Sequence, residues 1–423
     1  MALRKLFAAA VLSVPLAGLA QTPEAKPAEA PPAAPAAAPA PLVQVYGTLN
    51  VNLQYTEASG ATTPSENVKP RFAIATDSTG IGVRGTLDLG HGYKGVYQCE
   101  TTANLDGEDT RAICNRNSRV GLQSFWGTLF YGNWDTPYKS GHYGTKADDV
   151  FGNTDVFGYQ GIMGSPGYGT RTGAFNSSAT NAVTASFDQR GANSVAYWTP
   201  KFGGLSGKIQ YSVDEFSNQT GVVRPQLLAA AVNYDMGPFS VVAAAEYHED
   251  AFGIRSINAA NNQSMTSKDL GLRLAAGYDL PLGVGTLNVV GMVEQLSYAQ
   301  DDSPVGYKDF SRIAWMLGAK FRTGPHELRA RYSMALAPDI SGADGAPALP
   351  ATADDDLGAT SYAVGYAYHF AKSTQVYVFY TQIMNEDQAR YTFGVGGAAA
   401  VVGANTQEGS TPTAGGAGIR LAF

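Results

Sequence analysis

The clearest pattern in the chain is a strict alternation of apolar and polar residues from Val43 to Tyr55. Valine, leucine, tyrosine and one glycine occupy the odd positions, whereas Gln44, Asn50 and Asn52 are among the even ones. A period of two places successive side chains on opposite faces of an extended strand. The stretch is longer than the ~9–11 residues that cross a bilayer as a tilted strand. It therefore predicts a transmembrane β-strand.

The end of the chain repeats this pattern. Ile419, Leu421 and Phe423 alternate with glycine, arginine and alanine. A first and a last strand of this kind can pair with each other and leave no open sheet edge, which is the requirement for a sheet inside a membrane. The two ends together predict a closed β-barrel.

Turn residues give the number of strands. Short connections rich in glycine, proline or polar residues lie at 89–92, 125–127, 202–204, 236–238, 280–285, 323–325 and 370–372. Longer polar stretches alternate with them, near 56–77, 104–116, 136–192, 215–225, 250–266, 300–309, 338–357 and 385–413. Seven short turns and eight long loops connect sixteen strands. An even count of this kind predicts an all-β, 16-stranded antiparallel transmembrane barrel with short periplasmic turns and long extracellular loops.

Arginines identify the inner face of the predicted barrel. Arg84 alternates with Ile81, Val83 and Leu87, and other arginines in the body of the chain share this placement. An arginine that faces lipid near the bilayer centre costs ~2–4 kcal/mol. The polar face that carries the arginines must therefore line the interior.

The start of the chain has a different character. Arg4 and Lys5 precede an apolar run from Leu6 to Leu19, which is the layout of a secretory signal peptide. The run is shorter than the ~20 residues of a spanning helix and contains Pro15. Residues 21–41 are almost wholly alanine and proline, so they cannot bury a core and predict a disordered periplasmic segment. The predicted parts are thus 1–20, 21–41 and a barrel over 42–423.

Composition and charge weigh against other classes of protein. The formal net charge is −7, and no basic stripe with interleaved aromatic residues is present, so we expect no nucleic-acid partner. The five histidines are scattered, and none lies near a serine in a nucleophile elbow. We therefore expect a protein that is not an enzyme and that has neither a cofactor nor a metal site.

Two cysteines flank the second predicted loop. Cys99 and Cys114 are 15 residues apart in a chain that we expect to enter an oxidising compartment. The spacing favours a disulfide that closes the loop. Two free thiols are the alternative.

Several stretches of this chain resemble the general trimeric porins of Gram-negative outer membranes, in the form common among β-proteobacteria. They are VQVYGTLNVNLQY at 43–55, TGIGVRGTLDLGHGYKGVYQCE at 79–100, RNSRVGLQSFWGTLFYGNWDTPY at 116–138, NSVAYWTPKFGGLSGKIQYS at 193–212, and the terminal Phe423. The resemblance covers residues 43–423 and implies a homotrimer in contact with outer-membrane lipid and lipopolysaccharide. It also implies that the barrel-assembly machinery reads Phe423. One departure is Asn133, where related chains often carry arginine.

The resemblance further implies that the third loop, within 136–192, folds into the barrel and narrows it. Its acidic candidates are Asp148, Asp149 and Asp155, and Arg171 is a basic one. The candidates on the wall are Arg84, Arg119, Arg329 and Arg331. A basic wall that faces an acidic loop would set a transverse field across the channel. For each of these residues, the alternative interpretation is a solvated surface group.

The function implied is passive diffusion of ions and small hydrophilic solutes, with a weak anion preference. One alternative is a substrate-selective channel for organic acids or sugars, which inward aromatic residues would favour. Tyr46, Tyr377 and Phe379 are the candidates that parity gives. A structural or adhesive surface protein with a closed pore is the other alternative.

Overall fold

The computed structural model describes residues 43–107, 112–151, 158–167, 186–213, 225–252, 267–299, 307–342, 356–393 and 406–423. The predicted signal peptide at 1–20 and the alanine- and proline-rich segment at 21–41 lie outside the described residues. So do the candidate site residues Asp155 and Arg171.

Strands dominate the described part of the chain and form a single antiparallel sheet. The first half contains β1 (Gln44–Ser59), β2 (Val68–Thr76), β3 (Gly80–Gly90), β4 (Tyr93–Thr102), β5 (Ser118–Ser124), β6 (Gly127–Asp135), β7 (Arg190–Trp198), β8 (Leu205–Val213) and β9 (Gln226–Met236). The second half contains β10 (Phe239–Glu249), β11 (Lys268–Pro281), β12 (Thr286–Ala299), β13 (Tyr307–Thr323), β14 (His326–Ala335), β15 (Asp339–Gly342), β16 (Ala359–Ala371), β17 (Thr374–Asn385) and β18 (Thr411–Ala422). The described loops contain the helix α1 (Pro137–Ser140) and two 3-10 turns, Pro64–Glu66 and Tyr159–Gly161.

The sheet closes on itself. β1 pairs with β18 from Thr48 opposite Ala422 to Ser59 opposite Thr411. β2 and β3 both pair with β1, and β14 and β15 both pair with β13, so each of these two pairs forms one interrupted wall strand. The 18 segments therefore build a closed barrel of sixteen strands. The predicted all-β antiparallel barrel is confirmed.

The short turns lie where the sequence predicts them, as at His91 and Gly92 between β3 and β4. The prediction was wrong about the length of the strands at the other end of the barrel. The stretch 56–77, expected to be a loop, is mostly strand, because β1 runs to Ser59 and β2 covers Val68–Thr76. Paired strands satisfy their backbone groups in water as well as in lipid. They can therefore continue without apolar alternation, and their polar sequence resembles that of a loop.

Side chains alternate between the two faces of the wall as predicted. In β11, Leu272 and Leu274 are 44% and 46% exposed on the outside, whereas Arg273 between them is 4% exposed on the inside. The outer face is thus apolar and suited to lipid. Among the helices in the described ranges, none has the length and hydropathy to cross a membrane.

The last residue of the chain completes the seam of the barrel. The backbone N–H of Gly47 donates to the Phe423 carbonyl at 3.0 Å, and the N–H of Phe423 donates to the Gly47 carbonyl at 3.1 Å. A Cβ atom at position 47 would lie 2.7 Å from Cζ of Phe423. Glycine at this position therefore leaves the space that the terminal aromatic ring occupies.

The predicted disulfide between Cys99 and Cys114 is present. It closes the second loop beside Asn133, whose side-chain amide donates to the carbonyls of Asn115 at 3.2 Å and Arg116 at 3.3 Å. Asn133 is the residue at which the chain departs from the resemblance. In this structure it ties the second loop to the strand that leads into the third.

Replacing both cysteines with serine is expected to lower the free energy of unfolding by about 3 kcal/mol, because the bridge restricts the unfolded chain. Urea unfolding of the oxidised protein in detergent measures the change. A dithiol reductant should bring the unmodified protein to the stability of the double variant and leave that variant unaffected. Equal stability of the oxidised protein and the variant would contradict the prediction.

Candidate functional site

The third loop, residues 136–189 and called loop 3 from here on, bonds to inward side chains of the wall. In its described parts, the Gly164 N–H donates to Oε1 of Glu294 at 2.6 Å, and the Tyr138 hydroxyl donates to Oε2 of Glu294 at 2.8 Å. Lys146 Nζ lies 2.6 Å from a carboxylate oxygen of Asp235. These contacts place the described part of loop 3 inside the barrel, against the wall from β9 to β14.

Small residues in the wall leave room for the loop. A Cβ atom at Gly277 of β11 would lie 1.8 Å from the Lys146 carbonyl oxygen, and one at Gly318 of β13 would lie 3.1 Å from Val150. The inward wall residues around them are small or apolar, and they include Ala275, Val290, Met292, Ala314 and Met316. The alternation predicted an inner face that is wet throughout. Under loop 3, however, the inner face is dry because the loop covers it.

Four buried charges tie loop 3 to the wall. Arg273 of β11 donates to both carboxylate oxygens of Asp188 in loop 3, at 2.5 and 2.6 Å, and to Glu294 of β12 at 2.6 Å. Glu294 also accepts from Arg312 of β13 at 2.9 Å. Two arginines therefore balance two carboxylates. Such a group is stable as a set but costly to break, because the loss of one member leaves an uncompensated buried charge.

Arg312 also fixes the backbone of loop 3. Its guanidinium donates to the carbonyl oxygen of Ile162 at 3.0 Å and to that of Ser165. Because these acceptors are main-chain groups, the contact positions the loop whatever side chains the loop carries.

The predicted wall residues Arg329 and Arg331 lie under loop 3 and have acidic partners. Arg331 Nη1 is 3.3 Å from Oδ2 of Asp149, one of the predicted loop carboxylates, and both side chains are buried. Arg329 forms an ion pair with Glu327 on its own strand and lies 3.5 Å from the Phe151 carbonyl oxygen. The structure thus brings Asp149 and Arg331 together as one contact between loop and wall.

Asp148, the neighbouring loop carboxylate, remains partly exposed, at 29% of its side chain. The N–H groups of Gly144 and Asp149 donate to its oxygens at 2.8 and 3.0 Å. Desolvation nevertheless dominates and raises the pKa of the Asp148 carboxyl to about 6. His142 lies 3.9 Å away, but burial lowers the pKa of its imidazole well below the usual value. The histidine is therefore neutral at pH 7 and does not compensate Asp148.

The wall formed by β1 and β3–β5 carries arginines of a different kind. Arg84 of β3 is exposed, donates to the side chain of Gln44 at 3.0 Å, and lies 4.4 Å above the Tyr46 ring. Arg119 of β5 lies against inward aromatic rings. Among the described residues, neither arginine has a carboxylate partner. No ion pair links either of them to the described part of loop 3.

Glu100, an inward carboxylate of β4, does not offset these charges. Its two oxygens accept from Arg116 Nε at 2.7 Å and from the Tyr46 hydroxyl at 2.8 Å. Arg116 already balances Glu100, so Glu100 does not neutralise Arg84 or Arg119.

Sequence reasoning missed the members of the buried network as site residues. Inward parity was a signal for Arg273 and Arg312, which alternate with apolar residues in their strands. Glu294 is the one charged residue in the sequence of β12, which was a further signal. Asp188 gave none, because it lies in a long loop without periodicity.

The titratable side chains of the described residues are not arranged around a metal ion. Over the described ranges, His, Cys, Asp and Glu side chains form no group of three or more that could hold an ion. The carboxylates of the site contact arginines and backbone N–H groups instead.

The fold and the site define a class of protein. A closed antiparallel barrel that is apolar outside and charged inside, with a loop packed into its lumen, is a membrane channel of the outer-membrane type. A family model described as Gram-negative porin matches residues 8–388. The chain belongs to this family and is an outer-membrane protein.

Relatives from several genera agree with this assignment. Outer membrane porin protein 32 of Delftia acidovorans is 25% identical over 390 residues, which cover 90% of this chain and 94% of the relative. An outer membrane porin protein of Bordetella pertussis is 26% identical over 397 residues, covering 84% of this chain and 93% of the relative. Among solved structures, an anion-selective porin from Comamonas acidovorans shares the fold with a TM-score of 0.67 at 22% identity. The match covers 90% of this chain and 99% of that one.

Proposed function

We propose that the barrel is a water-filled channel for passive diffusion of ions and small hydrophilic solutes, with a weak preference for anions, and that it has no catalytic activity. One observation carries the anion preference. The arginines under loop 3 have carboxylate partners, whereas Arg84 and Arg119 have none among the described residues. Unbalanced positive charge on a lumen wall attracts anions and repels cations. Salt screens it over ~8 Å at physiological ionic strength, so the preference is weak.

The relatives support this proposal, since a neighbour of the same fold is named an anion-selective porin. We also propose a homotrimer in contact with lipopolysaccharide. A solved OmpT of Vibrio cholerae in its trimer form shares the fold with a TM-score of 0.59 at 15% identity. Recognition of Phe423 by the barrel-assembly machinery, export through residues 1–20, a disordered periplasmic segment at 21–41 and lumen positions for Asp155 and Arg171 belong to the same proposal.

Replacing both Arg84 and Arg119 with glutamate is expected to reverse the ion preference, because it turns two positive wall charges into two negative ones. The reversal potential across a planar bilayer under a KCl gradient measures the preference. Lys372→Glu makes the same kind of charge reversal at a single residue in a short turn and should leave the potential close to that of the unmodified channel. An unchanged potential in the double variant would remove these arginines from the conducting path.

The anion preference is expected to rise as the pH falls from 7.5 to 5. The Asp148 carboxyl, with a pKa of about 6, is ionised at the higher pH and mostly protonated at the lower one. Acidification therefore removes a negative charge from loop 3, near Asp149 and Lys320. Reversal potentials recorded at both pH values check this. Asp148→Asn should have the low-pH preference at both pH values, and a full pH response in this variant would assign the effect to another group.

A substrate-selective channel is the second candidate function. The observation that favours it is a cluster of inward aromatic rings on β6 and β7, in addition to the three rings that parity identified.

A further inference from the structure

Three aromatic side chains project into the barrel from neighbouring strands. Phe130 and Trp134 of β6 and Trp198 of β7 lie with their ring centroids 4.9 to 5.4 Å apart. Tyr131, next to Phe130, is 64% exposed on the outer face, so Phe130 points inward. The Trp134 and Trp198 rings lie on the same side, because both contact the Phe130 ring. Trp134 and Trp198 are each half-buried, so the cluster is not sealed from solvent.

Arg119 lies over all three rings. Its guanidinium carbon is 5.0 Å from the ring centroid of Phe130, 4.6 Å from that of Trp134 and 4.8 Å from that of Trp198. Its Nε and Nη1 atoms are buried and have no hydrogen-bond partner among the described residues. The aromatic rings attract the cation through their quadrupoles, but they supply no negative charge.

A second cation lies on the same cluster. Lys208 Nζ is 5.4 Å from the Trp198 ring centroid and donates to the Ser140 carbonyl oxygen at 3.0 Å. In the part of the chain that the structure describes, no carboxylate forms an ion pair with Lys208 or Arg119. Two positive groups therefore contact the same tryptophan, Trp198, and neither has an anionic partner in the described residues.

We propose that Arg119, Lys208, Trp134 and Trp198 form a binding site on the lumen wall for aromatic carboxylates. The carboxylate of such a solute supplies the missing negative charge, and its ring packs edge-on or offset against the tryptophans. Chloride and aliphatic acids gain only the charge interaction. The site rests on the proposed anion-preferring channel and adds to it a chemical class of solute.

The test compares two acids of equal charge and similar size. Benzoate has a π face, whereas cyclohexanecarboxylate has none. Each is titrated against the chloride current of the unmodified channel in a planar bilayer, and intrinsic tryptophan fluorescence is followed in detergent. We expect half-block by benzoate at a concentration about fivefold lower than by cyclohexanecarboxylate, because stacking adds to the charge interaction.

Variants assign the effect to the cluster. Trp198→Leu should bring the two half-block concentrations together, whereas Trp198→Phe should keep most of the difference. Trp134→Leu serves as an independent variant if Trp198→Leu does not fold, which heat-modifiable gel mobility shows. Trp315→Leu, a substitution on the outward face of β13, is the matched control and should behave like the unmodified channel.

Two results would overturn the site. They are equal block by both acids in the unmodified channel and a difference that survives both leucine variants. The reversal potential in KCl, recorded in the same membranes, separates this failure from that of the proposed function. A channel that prefers chloride but does not distinguish the two acids lacks the aromatic site, and one without chloride preference contradicts the proposed function itself.

Discussion

Replacing Glu294 with leucine is expected to destabilise the protein by about 3–5 kcal/mol, the usual cost of leaving a buried ion pair without one partner. The variant leaves Arg273 and Arg312 with Asp188 alone, so one positive charge is buried without compensation. It also removes the acceptors of the Gly164 N–H and the Tyr138 hydroxyl. Loop 3 should then leave the wall, and open-channel current noise should increase together with the loss of stability.

Urea unfolding in detergent and single-channel recording measure the two effects. Glu249→Gln removes a carboxylate from β10 that forms no ion pair with the network in the described part of the chain, and it should change neither quantity. Combining Glu294→Leu with Arg312→Leu restores charge balance and should recover part of the lost stability. Two single effects that simply add in the double variant would show that Glu294 and Arg312 act independently.

Gly277→Val is expected to produce the second large effect, a change in single-channel conductance. A Cβ atom at this position would lie 1.8 Å from the Lys146 carbonyl oxygen and 2.6 Å from the Ala147 nitrogen, so the loop backbone must move. Side chains can rotate away from a contact of this kind, but backbone atoms cannot. Overpacking of this kind costs about 1–3 kcal/mol, and the displaced loop narrows the passage that remains.

Gly291→Val is the matched control. Gly291 lies in β12 on the outer face, and a Cβ atom there would meet only Leu317 Cδ2 at 3.5 Å. Its conductance should match that of the unmodified channel. If Gly277→Val has the same conductance as the unmodified channel, loop 3 does not limit the current.

Both predictions concern the attachment of loop 3, which has two physical bases. The charged network around Glu294 holds the loop through fixed ionic hydrogen bonds, and the glycine at 277 lets the backbone of the loop approach the wall. Breaking the charged network is expected to loosen the loop, whereas a side chain in the space at position 277 is expected to displace it. The two variants should therefore differ in current noise even where their stabilities are similar.

The sequence by itself determined the barrel. The alternation in Val43–Tyr55, the turn residues such as His91 and Gly92, and the count of connections gave sixteen antiparallel strands and the inward face. It could do so because lipid imposes one rule on every strand, with apolar side chains outward and each backbone group paired to a neighbour. The disulfide between Cys99 and Cys114 could also be predicted from the sequence, because both cysteines flank one loop.

Only the tertiary structure decided which charges are free. Arg84 and Arg331 share the same inward parity, yet Arg331 is bound to Asp149 and Arg84 has no carboxylate partner among the described residues. The path of loop 3 makes this difference, and a loop without periodicity leaves no regular trace in the sequence. Gly164 and Glu294 meet across 130 residues of chain. Contacts of this kind depend on where a whole loop lies in space, whereas the strand pattern depends only on each residue and its immediate neighbours.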